Sequence, residues 1–353
     1  MLKARLYPHK LLFKQPGGTS RGVLTSKMSW YLEVWHHDNP TVKGLGECSV
    51  LPGLSPDDRS GLEEQLQWCC VHIDEVASAP HDSLVAWPAI RFAVEMALLD
   101  LNQGGRQVLF PSSFTGGRSS IPINGLIWMG QMDEMSRRIE EKLADGFHCL
   151  KLKIGALAFD EEFTLLKQLR ERFSVNELEL RVDANGGFTP EQAPGVLEQL
   201  ATLAIHSIEQ PIKAGQWEAM AALCASTPLP IALDEELIGL HDVVIRKQML
   251  ETIRPQYIII KPSLTGGFLS SQNWIDLAGQ IHAGWWITSA LEGNVGLNAI
   301  AQWTAILNNT MPQGLGTGQV FTNNLLSPLE MVHDRLKFNY RADLKAHYFK
   351  LPE

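Results

Sequence analysis

From residue 121 onward, short apolar segments that each end in a polar residue recur along the chain. Their ends fall at Lys153, Asp183, Glu209, Asp234, Lys261, Ser289 and a glycine-rich run at 314–318. These ends are about 25 to 30 residues apart, the length of one strand–helix unit. With a further strand at Ile121–Leu126 the pattern predicts eight units. The predicted fold class is therefore α/β, with a (β/α)8-type barrel.

The region before residue 115 has a different pattern. Strands are predicted at Ser29–Trp35 and Gly44–Val50, and a helix at Trp87–Leu101. Another helix is predicted to begin at Ser55–Pro56, because serine suits the N-cap and proline the first helical position. The polar, glycine-rich stretch 17–22 is predicted to be a mobile loop.

These patterns predict three segments. We expect an α+β capping domain over residues 1–115 and a barrel domain over residues 116–320. Residues 321–353 are too short and irregular for another barrel unit, and we expect them to return to the cap.

Charge and composition exclude several classes of partner. The net charge of −9 argues against binding to nucleic acid or to an anionic membrane. The N-terminus lacks the apolar core of a signal peptide, and no run of about 18 apolar residues is present. The five cysteines show no zinc-binding spacing, so we expect free thiols in a reducing cytoplasm. The sequence does not indicate an oligomeric state.

Three carboxylates are expected to face inward at the ends of successive strands. In Leu178–Asn185 the apolar residues alternate with Arg181, Asp183 and Asn185, which therefore share a face. The same alternation directs Glu209 and Asp234 inward. One such acid alone could be structural, but three in a low-dielectric barrel mouth would repel one another without a cation. Hard oxygen ligands of this kind suit Mg²⁺, or Mn²⁺.

Lysines lie on either side of these acids. Lys151 and Lys153 share one face of a strand, roughly 6–7 Å apart. A surface strand could carry such a pair, and Lys261 on a later strand could form a salt bridge to Asp234 or Glu235. A neighbouring ammonium and a metal ion would instead bring the pKa of a lysine down toward ~7–8, where it serves as a general base. A base beside a carboxylate-binding metal suggests removal of a proton alpha to a substrate carboxylate.

These residues resemble a known family. The motifs Lys151–Lys153, Arg181–Asn185, Glu209–Pro211, Leu233–Glu235 and Lys261–Pro262 resemble those of the enolase superfamily, muconate-lactonizing subgroup. The resemblance covers both cap and barrel. It implies that Asp183, Glu209 and Asp234 bind the metal and that Lys151, Lys153 and Lys261 are catalytic. Supporting contacts are implied for Arg181, Asn185, Glu235 and Glu292.

Within the subgroup the chain is most similar to the dehydratases of menaquinone biosynthesis. The further motifs are Gly46–Ser55, Gly18–Gly22, Lys261–Gly267, Ser289–Glu292 and Gly314–Thr317. The implied reaction is syn loss of water from 2-succinyl-6-hydroxy-2,4-cyclohexadiene-1-carboxylate, which gives 2-succinylbenzoate.

In that reaction Lys153 takes the proton and then protonates the departing hydroxyl. Lys261 remains an ammonium on the opposite face, and Lys151 sets the pKa of Lys153. The succinyl tail is assigned to Ser289 and to backbone groups near Gly314 and Gly316. The 17–22 loop, with Thr19 and Arg21, is expected to close over the ligand.

Other functions remain open at this point. An N-acylamino acid racemase also needs two lysines on opposite faces. A dipeptide epimerase is less consistent, because Gly316–Thr317–Gly318 lacks the Asp-x-Asp that holds a substrate ammonium in such enzymes. A barrel whose polar strand ends are purely structural is the non-catalytic alternative.

Overall fold

The N-terminal region forms a three-stranded antiparallel sheet in the order of the sequence. In the computed structural model, which describes residues 1–19, 22–155 and 158–341, its strands are β1 (Leu2–Thr19), β2 (Gly22–His36) and β3 (Asn39–Ser49). The helices that follow are α1 (Leu62–Val71), α2 (Ile73–Ser78), α3 (Pro80–Ser83) and α4 (Pro88–Asn102). Gly46 of β3 lies so close to α4 that a Cβ there would overlap the carbonyl oxygen of Ala93. The sheet is thus packed directly on a helix that is buried on most faces.

The glycine-rich stretch predicted to be a loop is largely paired strand. Gly17 is opposite Leu24 and Gly18 is opposite Val23, beyond a register shift in β1. The prediction of a loop over 17–22 is therefore wrong, because the two strands continue as one long hairpin almost to its tip. Arg21 and the side chain of Thr19 lie outside the described residues.

The first helix of the cap begins later than predicted, at Leu62 rather than at Ser55. The Ser55 hydroxyl accepts a hydrogen bond from the Leu51 N–H and so closes a turn. The Asp57 carboxylate accepts from the N–H groups of Ala89 and Ile90 at the start of α4. The polar residues around position 55 therefore stabilise a turn and a distant helix terminus.

A seven-stranded parallel sheet follows, and its strand order is that of the sequence. Its strands alternate with helices. The first elements are β4 (Ile121–Pro122), β5 (Gly125–Ile127), α5 (Met132–Ala144), β6 (Cys149–Lys153), α6 (Phe159–Arg172), β7 (Glu179–Asp183) and α7 (Ala193–Ala201). The later ones are β8 (Ser207–Glu209), α8 (Trp217–Ser226), β9 (Ile231–Leu233), α9 (Val243–Ile253), β10 (Tyr257–Ile260), α10 (Pro262–Thr265), α11 (Gly267–Gln280), β11 (Gly284–Ile287) and α12 (Asn294–Ile306). β4 belongs to another sheet, so the strand predicted at Ile121–Leu126 is divided between two sheets.

The eighth position of the barrel is reduced to two residues, Gln313 and Gly314. Gly314 N–H donates to the carbonyl of Ile287 (2.8 Å), and Ser289 N–H donates back to Gly314 (2.9 Å). On the other side Gln313 N–H donates to Pro122 (2.8 Å). These bonds join the last strand of the sheet to the segment that leads into β5, so the sheet closes as the (β/α)8-type fold predicts.

The C-terminal segment contacts both parts of the molecule. Phe321 forms a bridge with Phe13 of β1, and the side chain of Asn323 hydrogen-bonds to the β1 backbone. Farther on, β12 (Leu329–Val332) and β13 (Arg335–Phe338) form a hairpin that pairs with β4. The three segments given above remain a prediction as domain boundaries.

Two general expectations can be compared with this fold. All five cysteines carry free thiols, as expected. Over the described ranges, no helix combines the length and apolar character needed to cross a membrane.

Candidate active site

A cavity of about 260 Å³ lies at the carboxyl ends of the barrel strands. Its polar wall includes the three predicted lysines and Asp183. Its apolar wall comes from both the cap and the barrel: Leu51, Leu54, Leu126, Trp128, Leu291 and Val320. Function in such barrels is carried at this end of the strands, so the cavity is the candidate active site.

The predicted lysines and metal ligands alternate in one continuous row. Lys153 Nζ is 3.0 Å from Asp183 Oδ2, and Lys151 Nζ is 2.9 Å from the same oxygen. Lys151 also pairs with Glu209. Lys261 pairs with Asp234 and lies 3.9 Å from Glu209. The structure thus brings all six side chains together, in the order Lys153, Asp183, Lys151, Glu209, Lys261, Asp234.

This row shifts the pKa values of its members. Burial disfavours charge on Asp183, but Lys151 and Lys153 outweigh it and hold its pKa below the ordinary value. Burial also opposes the ammonium forms of Lys151 and Lys261, yet the neighbouring carboxylates raise both pKa values. Glu209 behaves in the opposite way, because burial together with the charges of Asp183 and Asp234 raises its pKa to about 8.

The chemistry of the three acids fits a divalent cation. Both carboxylate oxygens of Glu209 are buried, and neither accepts a hydrogen bond of normal geometry from the described residues. Asp183 and Asp234 add hard oxygen donors of the type that Mg²⁺ prefers. Among the described residues, no three Asp, Glu, His or Cys side chains already form a compact metal site, since lysine ammonium groups bridge the carboxylates. The binding of a divalent ion by Asp183, Glu209 and Asp234 therefore remains a prediction.

The two outer lysines lie on opposite sides of the barrel. Lys153 ends β6 and Lys261 directly follows β10, four strands further around the sheet. Both line the same cavity. Lys153 is also fixed by Asn185, whose Oδ1 accepts its hydrogen bond at 2.6 Å. A planar substrate between the two lysines would have one amine on each face.

The predicted supporting residues fall into two groups. Asn185 donates to Glu235 (3.0 Å) and accepts from Lys153, so this pair lies beside the lysine. Arg181 lies deeper in the barrel: it donates to Glu179 and to the carbonyl of Pro312, and its guanidinium lies 4.3 Å from the ring centroid of Trp286. It supports the barrel interior beneath the three acids rather than the acids themselves.

Ser289 and Glu292 form a buried hydrogen-bond network. The Ser289 hydroxyl donates to Glu292 (2.6 Å) and accepts from Thr317 (2.8 Å). Glu292 also accepts from Ser263, two residues after Lys261, and from the Ala290 N–H. The Ser289 hydroxyl proton is therefore already committed, which favours a structural part for this group in the cavity wall.

The glycines predicted to contact substrate lie next to this wall. Gly314 and Gly316 both line the cavity. The Gly314 N–H is committed to Ile287, so it closes the barrel as described above. Gly316 lies close to Asn124, whose backbone oxygen would be 3.7 Å from a Cβ at this position.

Several residues of the cavity and its wall were not predicted from the sequence. Asn124 and Thr288 line the cavity, and their side-chain oxygens have no hydrogen-bond partner among the described residues. Lys27 and Glu47 of the cap contact the segment that follows β11. Glu47 belongs to the Gly46–Ser55 motif of the resemblance. The Gly293 N–H that it contacts is 246 residues further along the chain, so the sequence around Glu47 does not indicate this contact.

Comparisons with known proteins identify the family. Residues 134–348 match the family model described as enolase C-terminal domain-like. The chain belongs to the enolase superfamily, whose enzymes use a divalent metal ion.

Individual relatives narrow this class. The chain is 52% identical to the o-succinylbenzoate synthase of Desulfotalea psychrophila over 90% of this chain and 94% of the relative. The crystal structure of MenC from the same organism superposes with a TM-score of 0.83 and 46% identity, covering 95% of this chain and 99% of MenC. An N-succinylamino acid racemase of Amycolatopsis is 26% identical over 77% of this chain and 75% of its own. The resemblance to the dehydratases of the subgroup is confirmed, and the racemase is a more distant relative.

Proposed function

We propose that this protein is an o-succinylbenzoate synthase, which dehydrates 2-succinyl-6-hydroxy-2,4-cyclohexadiene-1-carboxylate to 2-succinylbenzoate. The observation that carries this proposal is the 52% identity to the Desulfotalea enzyme over nearly the whole of both chains. The alternating row of lysines and carboxylates in the cavity supports the same chemistry. The free thiols fit a reducing compartment, and we propose a cytoplasmic enzyme.

Lys153 is the proposed base and acid. As the free amine it takes the proton from the ring carbon that carries the carboxylate. The ammonium so formed then gives that proton to the hydroxyl on the adjacent carbon, which leaves as water. The pair of electrons from the broken C–H bond becomes part of the aromatic ring. Because one residue serves both steps, the proton and the hydroxyl must lie on the same ring face.

Lys261 and Lys151 keep their positive charge in this proposal. The carboxylates that contact them raise both pKa values, so both are ammonium groups at neutral pH. Lys261 lies on the opposite side of the cavity from Lys153 and stabilises the negative charge that spreads over the ring. Lys151 is buried between Asp183 and Glu209 and fixes their spacing.

Asp183, Glu209 and Asp234 are the proposed metal ligands. We propose Mg²⁺ as the ion, with Mn²⁺ as the alternative, because all three ligands are carboxylates. When bound, the ion supplies positive charge for the oxygens of the substrate carboxylate as the proton leaves.

The cap contributes the apolar half of the pocket. Leu51 and Leu54 form a wall with Leu291 of the barrel, which suits a hydrocarbon ring and excludes water from the lysines. The dicarboxylate substrate is the small-molecule partner of the site. We propose that its succinyl tail lies along the wall formed by residues 289–291 and by Gly314 and Gly316.

The direct test is to assay the purified protein with the cyclohexadiene substrate, with and without EDTA. We expect loss of the diene absorbance and appearance of 2-succinylbenzoate, both abolished by the chelator. In the competing test the protein is incubated with an N-succinyl amino acid, and optical rotation measures its racemisation. Rapid racemisation without any turnover of the diene would show the racemase function instead.

A further inference from the structure

Two buried side chains of the cap, a lysine and a glutamate, form hydrogen bonds with the segment after β11. Lys27 of β2 is only 3% exposed, and its Nζ donates to the carbonyl of Leu291 (2.8 Å) and to the hydroxyl of Ser49. Glu47 of β3 is fully buried and accepts from the N–H groups of Gly293 (2.7 Å) and Gly296 (2.9 Å). Two neighbouring cap strands therefore bond to successive peptide groups of one barrel segment.

That segment is also the wall of the cavity. Ser289, Ala290 and Leu291 line it, and Glu292 ties Ser289 to Ser263 behind it. Leu291 has φ +60°, a left-handed conformation that non-glycine residues rarely adopt. Its carbonyl is held by Lys27, and its N–H donates to the Ser289 hydroxyl (3.1 Å). The wall residue with this unusual backbone conformation thus accepts a hydrogen bond from the cap.

The charges of the contact reinforce this arrangement. Glu47 accepts from the first turn of α12, a 13-residue helix whose N-terminal N–H groups favour a carboxylate. A second acid, Glu292, lies within the same buried region. Burial lowers the pKa of Lys27, and its attraction to both carboxylates opposes that shift without cancelling it. Loss of the lysine would leave the buried carbonyl of Leu291 without this hydrogen-bond donor.

We propose that Lys27 and Glu47 are positioning residues that set the shape of the 289–292 wall and thereby the affinity of the site for the succinyl tail. This inference rests on the proposed function, since it assigns the tail to that wall. It gives the cap a part in substrate selection through residues that do not line the cavity themselves.

The test compares two competitive inhibitors that differ only in the tail. 2-Succinylbenzoate carries the full tail, whereas 2-acetylbenzoate keeps the ring carboxylate and the ketone but lacks the distal carboxylate. For Lys27→Met we expect the inhibition constant of 2-succinylbenzoate to rise about tenfold or more, because the displaced wall no longer fits the succinyl tail. The inhibition constant of 2-acetylbenzoate should stay within about twofold of that of the unaltered protein. Glu47→Gln should show the same selective loss.

Lys43→Met is the matched control. Lys43 lies on β3 of the same sheet, but its side chain is 42% exposed and pairs with Glu33 at the surface. This variant should bind both inhibitors as the unaltered protein does. If Lys27→Met fails to fold, Glu47→Gln carries the test, because it keeps the size of the side chain and changes the contacts with the N–H groups of Gly293 and Gly296.

The outcomes separate the possibilities. A selective loss of 2-succinylbenzoate binding supports the positioning role. An equal loss for both inhibitors, or a lower melting temperature with both constants unchanged, overturns it and leaves Lys27 as a purely structural residue. Failure of the unaltered protein to bind 2-succinylbenzoate or to turn over the diene would contradict the proposed function instead.

Discussion

Lys153 Nζ lies 3.0 Å from Asp183 Oδ2, at the ends of two adjacent parallel strands that place these residues opposite each other. The proposed base is thus in contact with a proposed metal ligand. Sheet register brings this pair together, because Lys153 and Asp183 are partners at the paired ends of β6 and β7.

Replacement of Lys153 tests the base directly. We expect Lys153→Ala to lower kcat for dehydration by about 10³-fold or more, since general acid–base catalysis contributes about 10²–10⁴-fold per step and this residue serves two steps. Diene absorbance measures the rate, and circular dichroism checks the fold. Lys167→Ala removes an exposed lysine of α6 and should retain full activity. Near-normal turnover by Lys153→Ala would assign the base to another residue.

Metal binding should stabilise the folded protein. Because Asp183, Glu209 and Asp234 bring three buried carboxylates together, Mg²⁺ should raise the melting temperature of the EDTA-treated protein. An ion present at a hundred times its dissociation constant contributes about 2.7 kcal/mol. In Glu209→Gln, which keeps the size but replaces a carboxylate with a weaker amide ligand, this increase should be much smaller.

The surface carboxylate Glu171 provides the control for that experiment. Glu171→Gln should respond to Mg²⁺ as the unaltered protein does. Equal stabilisation of Glu209→Gln and the unaltered protein would place the ion elsewhere.

Gly266 should be intolerant of any side chain. It has φ +98°, and a Cβ would overlap the guanidinium of Arg91, which donates to the Gly266 carbonyl (2.6 Å). We expect Gly266→Ala to lower the free energy of unfolding by about 2–4 kcal/mol, from overlap and backbone strain together. Gly279→Ala in α11 meets open space and should stabilise by about 0.5 kcal/mol. Urea unfolding of both variants measures the difference.

A buried acid of the cap should make stability depend on pH. Burial raises the pKa of Asp100 to about 6. An unfolded aspartate has a pKa of about 3.9, so the folded state holds the proton more tightly. The stability contributed by this proton is full below about pH 4 and is lost as the pH rises through about 6.

Asp100→Asn isolates that contribution. The variant cannot titrate at this position, so the unfolding free energy of the unaltered protein minus that of the variant should fall by about 2–3 kcal/mol between pH 4 and pH 7. Urea unfolding across this range gives the difference directly. A difference that stays constant with pH would show that Asp100 does not change its protonation on unfolding.

The barrel and its ionic centre could be predicted because they depend on short-range patterns. Alternation along a strand places Lys151 and Lys153 on one face, and the same rule orients Asp183, Glu209 and Asp234. Regular spacing of the strand ends then brings these residues to one end of a closed sheet. The first step uses residues within one strand, and the second uses a repeat that extends over the whole barrel region.

The contacts that were missed depend on residues far apart in the chain. Asp57 stabilises the start of α4 about thirty residues later, a contact that nothing in the sequence near Ser55–Pro56 indicates. Lys27 bonds to Leu291, 264 residues away, and neither neighbourhood indicates the other. The glycines at 17 and 18 have a composition typical of a loop, yet pairing across the hairpin keeps them in a strand.

The closure of the sheet by Gln313 and Gly314 has a consequence for the synthesis of the protein. Every earlier strand can pair with its neighbour as the chain leaves the ribosome, but the first and last strands cannot be joined until residue 314 has emerged. The hairpin that pairs with β4 emerges later still, at residues 329–338. Synthesis from the N-terminus therefore leaves an open, curved sheet until residue 314 has emerged, and the pocket cannot close before then.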